Sequence, residues 1–244
     1  MAQEKEDWYS RTVMAIGDEG LKRLKDSSVL VVGLGGVGSY AAEMLVRAGI
    51  GTISIADGDT VHCSNRNRQL LALRSTEGIL KVEVMAERLL DINPELRLTV
   101  IPEFIRDERM FEVLDVGYDW VVDAIDTLSP KVFLIYNTIN RGMKIVSSMG
   151  AGGRFDPSLI AVSDISESHN CTLARLVRKR LHRLGIREGF KVVWSPEPVD
   201  REMVVPVTGQ RNKASAVGTI SYMPAAFGIS CASVVIRDLS GMAL

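Results

Sequence analysis

The sequence predicts an α/β fold: a Rossmann-like, mostly parallel twisted sheet with helices on both faces and a C-terminal elaboration. Three observations lead to this class. Apolar, β-rich runs alternate with amphipathic stretches over the first 150 residues, which is typical of strand–helix–strand units. The first run ends in the glycine-rich turn Gly33–Gly38. The second run ends in an acid, Asp57.

The alternation places individual elements along the first part of the chain. We expect strands at Ser28–Val32, Thr52–Ala56, Arg97–Pro102, Trp120–Ala124 and Lys144–Ser148. We expect helices near Gly36–Ala48, Thr76–Ile92, Asp107–Leu114 and Ser129–Arg141. Asp107 and Ser129 are expected to cap the last two helices, with Pro130 in the favoured first turn. Asn93-Pro94 ends the second helix.

The chain changes in character after Gly150. We expect a hairpin at Arg154–Ile165, an amphipathic helix at Thr172–Leu184, a strand at Lys191–Trp194 and a helix rich in small residues at Met223–Leu239. We interpret residues 1–244 as a single domain. Within it, we expect residues 26–150 to form a Rossmann-like core that carries the glycine-rich turn, and residues 151–244 to form a C-terminal elaboration.

Composition excludes several classes of protein. A chain of 244 residues with 46% apolar and 24% charged residues is ordinary for a globular domain, and its net charge of −1 leaves nucleic-acid binding to local patches. The three cysteines form no CxxC pair, so we expect neither a zinc site nor a disulfide framework. The charged start does not resemble a signal peptide, and no apolar run is long enough for a membrane helix. We therefore expect a cytoplasmic enzyme without a membrane partner.

The glycine turn indicates a nucleotide site. Gly33, Gly35 and Gly38 form a GxGxxG that follows a strand and opens a helix, where backbone amides and the helix N-terminus favour phosphate. Asp57, at the end of the next strand, is placed to bind ribose hydroxyls. This signature alone suits NAD and ATP equally, so an NAD-dependent oxidoreductase or a nucleotide-sensing module is an alternative at this point.

The polar segment from Asp57 to Gln69 favours ATP. It carries Arg66 and Arg68, and arginine binds phosphate oxygens through paired hydrogen bonds. Lys81 adds a point charge, and Asp126, expected to end a strand at the carboxyl edge of the sheet, offers an oxygen ligand suited to Mg²⁺. Taken singly, these cations could be solvated surface charges, and Asp123 and Asp126 could be a helix cap and a loop acid. Their grouping around one glycine turn favours the ATP interpretation.

Four motifs resemble those of the ThiF/MoeB superfamily, relatives of the ubiquitin-activating enzymes: GLGGVGS, D-x-D-x-V-x-x-S-N-x-x-R-Q, G-x-x-K-V-E and D-A-I-D. The resemblance runs from about Trp8 to Gly153. It implies an adenylation, in which a carboxylate attacks the α-phosphate of ATP, pyrophosphate leaves and an acyl-adenylate forms.

The same resemblance implies roles for matching residues. Asp57 holds the ribose, Asp126 binds Mg²⁺, and Arg11 reaches the nucleotide of a partner subunit, which implies a homodimer. Arg11 could instead be a charge on a flexible terminus. Arg11, Arg68, Lys81 and the metal would stabilise the leaving pyrophosphate, and no general base is required because a carboxylate is ionised at neutral pH. The residues expected to line the ATP site are Gly33, Gly35, Gly36, Gly38, Asp57, Asp59, Ser64, Asn65, Arg68, Gln69 and Lys81.

The second half of the chain carries motifs that indicate a particular class of substrate. Five stretches are similar to tRNA threonylcarbamoyladenosine dehydratases of the TcdA or CsdL type: Gly150–Pro157, Val162–Ile165, Leu173–Leu181, Val193–Glu197 and Ser215–Gly218. This similarity implies that the activated carboxylate belongs to the threonine moiety of a modified adenosine in tRNA. Ring closure within that moiety would then expel AMP, favoured by the high effective molarity of an intramolecular attack.

A basic segment agrees with an RNA partner. The candidate tRNA contacts lie on a helix with one apolar and one cationic face: Arg175, Arg178, Lys179, Arg180 and Arg183. A solvated helix face is the alternative interpretation. A membrane-surface helix is disfavoured because the apolar face lacks aromatic anchors.

Cysteine placement separates the remaining hypotheses. Relatives often carry a cysteine where this chain has Lys213, which argues against a thioester or persulfide at that place. The main alternative function is an adenylating activator of a sulfur-carrier or ubiquitin-like protein, and the lack of zinc and catalytic cysteines counts against it. Whether a cysteine desulfurase or a sulfur acceptor is a partner stays open.

Overall fold

One mixed sheet forms the centre of the molecule, in a computed structural model that describes residues 7–206 and 215–242. Its strands are β1 (Ser28–Val32), β2 (Thr52–Ala56), β3 (Arg97–Ile101), β4 (Trp120–Asp123), β5 (Lys144–Ser148), β6 (Ala161–Asp164) and β7 (Lys191–Trp194). They lie in the order β3-β2-β1-β4-β5-β7-β6. Neighbouring strands are parallel except for β6, which is antiparallel to β7. A second pair, β8 (Val204–Pro206) and β9 (Ser215–Val217), is antiparallel.

Helices cover both faces of the sheet. They are α1 (Ser10–Asp26), α2 (Gly38–Ala48), α3 (Lys81–Ile92), α4 (Asp107–Asp115), α5 (Leu128–Asn140), α6 (Thr172–Arg183) and α7 (Tyr222–Ser240). One apolar cluster packs under α2, α3 and α7, and a second packs under α4, α5 and α6. Over the described residues, no helix has both the length and the apolar character that a membrane crossing requires.

The sequence-based fold class is confirmed. Strands β1, β2, β5 and β7 have the expected bounds, and β3 and β4 each end one residue earlier. Strands β1, β2, β4 and β5 are almost fully buried, which is expected when helices cover both faces of a parallel sheet.

Two helices differ from the prediction. Helix α1 was not expected; its backbone breaks at Gly17, where φ is 72°, and glycine is unfavourable inside a helix. Helix α3 begins at Lys81 rather than at Thr76. The preceding backbone is drawn away from helical geometry because Val61 N donates to Ile79 O at 2.8 Å and Lys81 N donates to Asp59 O at 3.0 Å.

The hairpin expected at Arg154–Ile165 was wrong. The Asp156 carboxylate accepts a hydrogen bond from Ser158 N at 2.8 Å, which closes a short 3-10 turn. The chain then enters β6, whose partner is β7 and not the segment before the turn. The strand's own apolar pattern could not reveal this pairing, because its partner lies about 30 residues further along.

The expected helix caps were also wrong. Asp107 is the first residue of α4, with φ at 51°, and makes no cap hydrogen bond with its side chain. Ser129 is the second residue of α5, behind Thr127 at the cap position. Its hydroxyl instead accepts from Arg180 at 2.6 Å. Pro130 does lie in the first turn of α5.

Candidate nucleotide site

The glycine turn lies where β1, β2 and β4 end at the same edge of the sheet. Gly33 has a φ of 91°, and a Cβ there would lie 2.8 Å from the Ala124 carbonyl oxygen. A Cβ on Gly38 would lie 1.8 Å from Gly33 O. These two glycines are therefore required by close backbone packing. At Gly35 the nearest atom to a Cβ would be Gln69 Nε2, 3.8 Å away, so this position borders open space.

Asp57 joins β2 to the glycine turn. Its buried carboxylate accepts from Leu34 N at 2.6 Å and from Asp59 N at 2.8 Å. Burial raises the pKa of Asp57, and this effect outweighs the nearby charge of Lys81 and the two backbone hydrogen bonds. The acid that sequence reasoning assigned to the ribose thus also holds the turn in place.

Lys81 and Asp59 form an ion pair beside the turn. The distance from Lys81 Nζ to Asp59 Oδ2 is 2.9 Å. Lys81 is only 5% exposed, whereas the Asp59 side chain is 49% exposed. From the sequence, each residue was expected separately in the ATP site. The structure pairs them, so the Asp59 carboxylate fixes the position of the Lys81 ammonium group.

The segment after Asp57 forms a compact 3-10 turn at Cys63–Asn65. Asn65 is buried and accepts from His62 N at 3.1 Å, which makes it part of the turn's own support. Arg68 Nη1 donates to Ser64 O at 3.0 Å and to Asn67 Oδ1 at 2.8 Å. These bonds hold the guanidinium group through one terminal nitrogen, and Arg68 is half-buried.

The two arginines of this segment differ in their surroundings. Arg66 is exposed and forms an ion pair with Glu77. Arg68 has no carboxylate partner among the described residues. Between Arg66 and Arg68, Arg68 is thus the one whose charge is available to a phosphate.

Gln69 carries an unsatisfied polar atom. Its side-chain oxygen, Oε1, is buried and has no hydrogen-bond partner within residues 7–206 and 215–242. Buried polar atoms are nearly always paired, and the other end of this amide lies nearest to the open space at Gly35. The amide nitrogen therefore borders the space over the glycine turn, and the buried oxygen behind it is left without a partner among the described residues.

Asp126 lies two residues beyond Ala124, which packs on Gly33. It is exposed at the carboxyl edge of the sheet. The described residues contain no group of three or more His, Cys, Asp or Glu side chains that could hold a metal ion. A cation at Asp126 would accordingly take most of its ligands from phosphate and water, as Mg²⁺ commonly does.

Asp123 was interpreted only as a helix cap, and Lys131 was not singled out. The structure joins them: Lys131 Nζ lies 2.6 Å from Asp123 Oδ2, and both side chains are fully buried. Ser147 Oγ donates to the same oxygen at 2.5 Å. A signal was present, because Lys131 shares the buried face of α5 with Leu134, Ile135 and Thr138, where an unpaired lysine is not expected.

Arg11 lies away from the nucleotide edge of its own chain. Two residues before it, Tyr9 packs on Gly49, with Cε1 3.1 Å from the position of a Cβ there. Gly49 follows the last residue of α2, and the glycine turn precedes the first. A helix of 11 residues is about 16 Å long, so Arg11 and the turn lie at opposite ends of α2.

The second half of the chain reaches the nucleotide edge. Asn67 Nδ2 donates to Thr219 O at 3.0 Å. A Cβ on Gly36 would lie 2.9 Å from Pro224 Cβ, in the first turn of α7. Gly36 is therefore required for α7 to pack against the glycine turn.

The cations of α6 divide into two groups. Arg178 is half-buried, and its Nη1 donates to the Ser168 carbonyl oxygen at 2.5 Å and also contacts the Ser168 hydroxyl, so part of its guanidinium group supports the fold. Arg180 donates to Ser129 but remains exposed. Arg175, Lys179 and Arg183 are exposed, and none has an ion pair with a described residue.

The cysteines differ in accessibility. Cys63 is exposed in the 3-10 turn, whereas Cys171 and Cys231 are buried. Burial raises the pKa of the Cys231 thiol to about 12. Lys213, where relatives often carry a cysteine, lies outside the described residues.

The open space at Gly35, the buried acid at Asp57 and the cations at Arg68 and Lys81 define a nucleotide-binding α/β protein. The chain belongs to the ThiF family, whose pattern matches residues 9–243.

Known relatives agree with this assignment. The chain is 40% identical to the tRNA threonylcarbamoyladenosine dehydratase of Bacillus subtilis (strain 168) over 238 residues, covering 95% of this chain and 94% of that protein. The crystal structure of the Escherichia coli tRNA N6-threonylcarbamoyladenosine dehydratase, TcdA, in complex with ATP is similar, with a TM-score of 0.87 and 35% identity over 96% of this chain and 93% of that one. A shorter similarity, 36% over 155 residues, links 64% of this chain to 35% of the adenylyltransferase and sulfurtransferase UBA4 of Vanderwaltozyma polyspora.

Proposed function

We propose that the protein is an ATP-dependent tRNA threonylcarbamoyladenosine dehydratase that acts by adenylating a carboxylate. The observation that carries the proposal is the open space at Gly35, bordered by the unsatisfied amide of Gln69 and flanked by Arg68 and Lys81. The full-length similarity to dehydratases supports the choice of substrate.

The site suits the triphosphate of ATP. Phosphate oxygens over Gly35 would meet the N-terminus of α2, where backbone amides and the helix dipole favour negative charge. Gln69 would donate to a phosphate oxygen through Nε2, which lies nearest to Gly35. Asp57 would accept from a ribose hydroxyl with the lone pairs that its two backbone amides leave free.

A cleft beside Asp57 suits the base. It has a volume of about 590 Å³, and Gly58, Phe104 and Arg106 are among the residues that line it. Phe104 is 62% exposed and packs on Gly58. An exposed aromatic ring beside the ribose site offers a stacking surface for a purine.

The first chemical step is the transfer of adenylate to the substrate. A carboxylate oxygen of the threonine moiety would attack the α-phosphorus, and the bond to the bridging oxygen would break as pyrophosphate leaves. Arg68 and Lys81 would stabilise the charge that grows on pyrophosphate. Asp126 would hold Mg²⁺, which neutralises phosphate charge when bound.

The second step closes a ring within the substrate. A nucleophilic atom of the carbamoyl group would attack the acyl carbon, and AMP would leave. Reactant and acyl group belong to one moiety, so the protein need supply no nucleophile of its own. The balance is one ATP consumed, AMP and pyrophosphate released, and water lost from the substrate.

The exposed cations of α6 would bind the tRNA backbone. Arg175, Lys179 and Arg183 lack acidic partners among the described residues, and free cations on one surface favour phosphate binding. Arg11, at the far end of α2 from its own nucleotide edge, would act on the site of a second subunit, so the active form would be a homodimer. We place this form in the cytoplasm.

The test uses purified protein, Mg-ATP and tRNA that carries the open threonylcarbamoyl group. The modified nucleoside is expected to lose the mass of one water while AMP appears in equal amount. Unmodified tRNA is the control and is expected to release no AMP. If the protein binds ATP but leaves the modified nucleoside unchanged, the dehydratase assignment is wrong.

A second candidate is an activator of a sulfur-carrier or ubiquitin-like protein, which the partial similarity to UBA4 favours. It predicts exchange of pyrophosphate into ATP that depends on a carrier protein with a free C-terminal carboxylate. It also leaves a place for a cysteine desulfurase or sulfur acceptor as partner. Exchange that depends on modified tRNA alone would exclude it.

A further inference from the structure

The buried trio of Asp123, Lys131 and Ser147 is an unexplained charged group next to the nucleotide edge. Taking an ammonium and a carboxylate out of water costs several kcal/mol per ion in real proteins. Stability alone does not account for such a pair, because apolar residues of the same volume are often as stable or more so. The contacts of the trio show what it holds in place.

The Asp123 carboxylate connects three elements. Its Oδ2 accepts from Lys131 Nζ on α5 at 2.6 Å and from Ser147 Oγ on β5 at 2.5 Å. Its Oδ1 accepts from Ile125 N at 3.1 Å. Lys131 Nζ also donates to Ser147 Oγ at 3.2 Å. The carboxylate is therefore fixed from α5 and β5, and it fixes the backbone of the loop between β4 and α5.

That loop is wedged against the glycine turn. Ala124 N donates to Val32 O at 2.9 Å. A Cβ on Gly33 would lie 2.8 Å from Ala124 O, so the loop and the turn are in backbone contact. The hydrogen bond at Ile125 sets the direction in which the chain leaves this contact, and the next residue is Asp126.

We propose that Lys131, acting through Asp123, is a positioning residue that holds Asp126 for the metal-bound nucleotide. This inference rests on the proposed function, which assigns Asp126 to the metal. Without the ammonium group, the buried carboxylate would lose its donor on α5 and would no longer be held in place from that side. Its hydrogen bond to Ile125 N would change, and Asp126 would move with the loop.

The test compares Lys131→Met, Lys131→Arg and Ser147→Ala in the full chain. Methionine fills the volume without a charge, arginine keeps the charge, and alanine removes one neutral donor. Lys131→Met is expected to raise the Mg²⁺ concentration at half-maximal rate about tenfold or more, the range seen when a residue behind a metal ligand is lost. The KM for ATP at saturating Mg²⁺ should change far less, and Lys131→Arg should recover most of the loss.

Two readouts do not depend on turnover. Hydrogen exchange of residues 124–127 in the nucleotide-free protein should be faster in Lys131→Met, and Mn²⁺ should bind the protein–ATP complex more weakly. The control is Glu43→Gln, which removes a carboxylate that Arg47 on α2 and Arg88 on α3 share and that makes no hydrogen bond with Asp123, Lys131 or Ser147. It should lower the melting temperature without changing either readout.

The outcomes are distinguishable. Unchanged exchange and Mn²⁺ binding in Lys131→Met, or equal changes in Glu43→Gln, would overturn the positioning role. If Lys131→Met does not fold, Ser147→Ala tests the proposal in its place. It should show smaller changes in the same direction, namely faster exchange of residues 124–127 and weaker Mn²⁺ binding. If the wild-type protein binds Mn²⁺-ATP but never dehydrates tRNA, the proposed substrate fails, while the exchange and Mn²⁺ results still test Lys131.

Discussion

Asn67 donates a hydrogen bond from its side-chain nitrogen to the backbone carbonyl oxygen of Thr219, at 3.0 Å. Asn67 lies between Arg66 and Arg68, and Thr219 lies just before the start of α7. The bond joins the polar segment after Asp57 in the first half of the chain to the segment before α7 in the second. The two halves therefore form the nucleotide edge together.

The two glycines at either side of the turn are expected to respond differently to alanine. Gly35→Ala meets no atom closer than 3.8 Å, so the melting temperature should stay close to that of the wild type. Its methyl group would occupy the space proposed for phosphate, and ATP affinity measured by calorimetry should fall at least about tenfold, equivalent to about 1.4 kcal/mol. Gly38→Ala, with a Cβ 1.8 Å from Gly33 O, should reduce stability strongly. Unchanged ATP affinity in Gly35→Ala would show that phosphate does not bind here.

Gln69→Leu is expected to separate stability from binding. The leucine side chain removes a buried oxygen that has no partner in the described structure, and such an oxygen costs about 1–3 kcal/mol. The nucleotide-free protein should be as stable as the wild type or more so in urea unfolding, and its ATP affinity should fall. A variant that loses stability and keeps ATP affinity would mean that Gln69 serves the fold alone.

Arg68→Ala and Arg66→Ala form a matched pair, because the two cations lie two residues apart. Arg68→Ala should lower kcat about 10²- to 10³-fold, the usual effect of losing one group that stabilises transition-state charge. Arg66 is paired with Glu77 at the surface, and such pairs contribute about 0–1 kcal/mol to stability, so its variant should keep near wild-type rates. Single-turnover AMP release measures both. If both variants lost the same factor in rate, the two arginines would contribute through their summed positive charge and not through a specific contact of Arg68.

Cys63 should be the thiol that reacts in the native protein. Burial holds the pKa of Cys231 at about 12, so this thiol stays protonated at pH 8, and Cys171 is also buried. Brief treatment with iodoacetamide at pH 8 should label the peptide with Cys63 first, and ATP should slow that labelling because Ser64 is next in the chain. Labelling of Cys231 at the same rate would contradict the packing of α7.

The surface of α6 gives a test of RNA docking. Arg175→Glu and Lys179→Glu should weaken tRNA binding and lower the slope of log affinity against log salt by about one for each phosphate that the variant no longer binds. The ATP affinity of the tRNA-free enzyme should not change. Arg178→Ala is the control: it should reduce stability, because its guanidinium donates to the backbone at Ser168, and leave the salt slope alone. An unchanged slope in the reversed-charge variants would place the RNA elsewhere.

Sequence reasoning predicted the parallel core well, because its strands are short, apolar and separated by helices of ordinary length. The carboxyl ends of neighbouring parallel strands meet at one edge, so Gly35 and Asp57 could be placed together without coordinates. The antiparallel pairing of β6 could not be predicted, because its partner β7 lies about 30 residues further along the chain. Helix α1 was missed although apolar residues recur at helical spacing on either side of Gly17, and the break at that glycine has no sequence signal beyond the glycine itself.

Within the candidate site, the sequence predicted which residues are present better than which of them interact. Lys81 and Asp59 were both expected near ATP, but the ion pair between them needed three-dimensional structure. Arg178 looked like its basic neighbours, and only the fold turns it inward. The pair of Asp123 and Lys131 could have been found from the lysine on the apolar face of α5.

The close packing of α7 on α2 has a consequence for biosynthesis. Gly228 of α7 approaches so near that a Cβ there would lie 2.2 Å from Val37 O, immediately before α2. Translation proceeds at about 5–20 residues per second, so on the order of ten to forty seconds separate the emergence of α2 from that of α7. During that interval the nascent nucleotide edge stays open on one side, with the apolar surface of α2 uncovered. A ribosome-bound chain that stops before residue 222 should therefore depend on a chaperone to avoid aggregation.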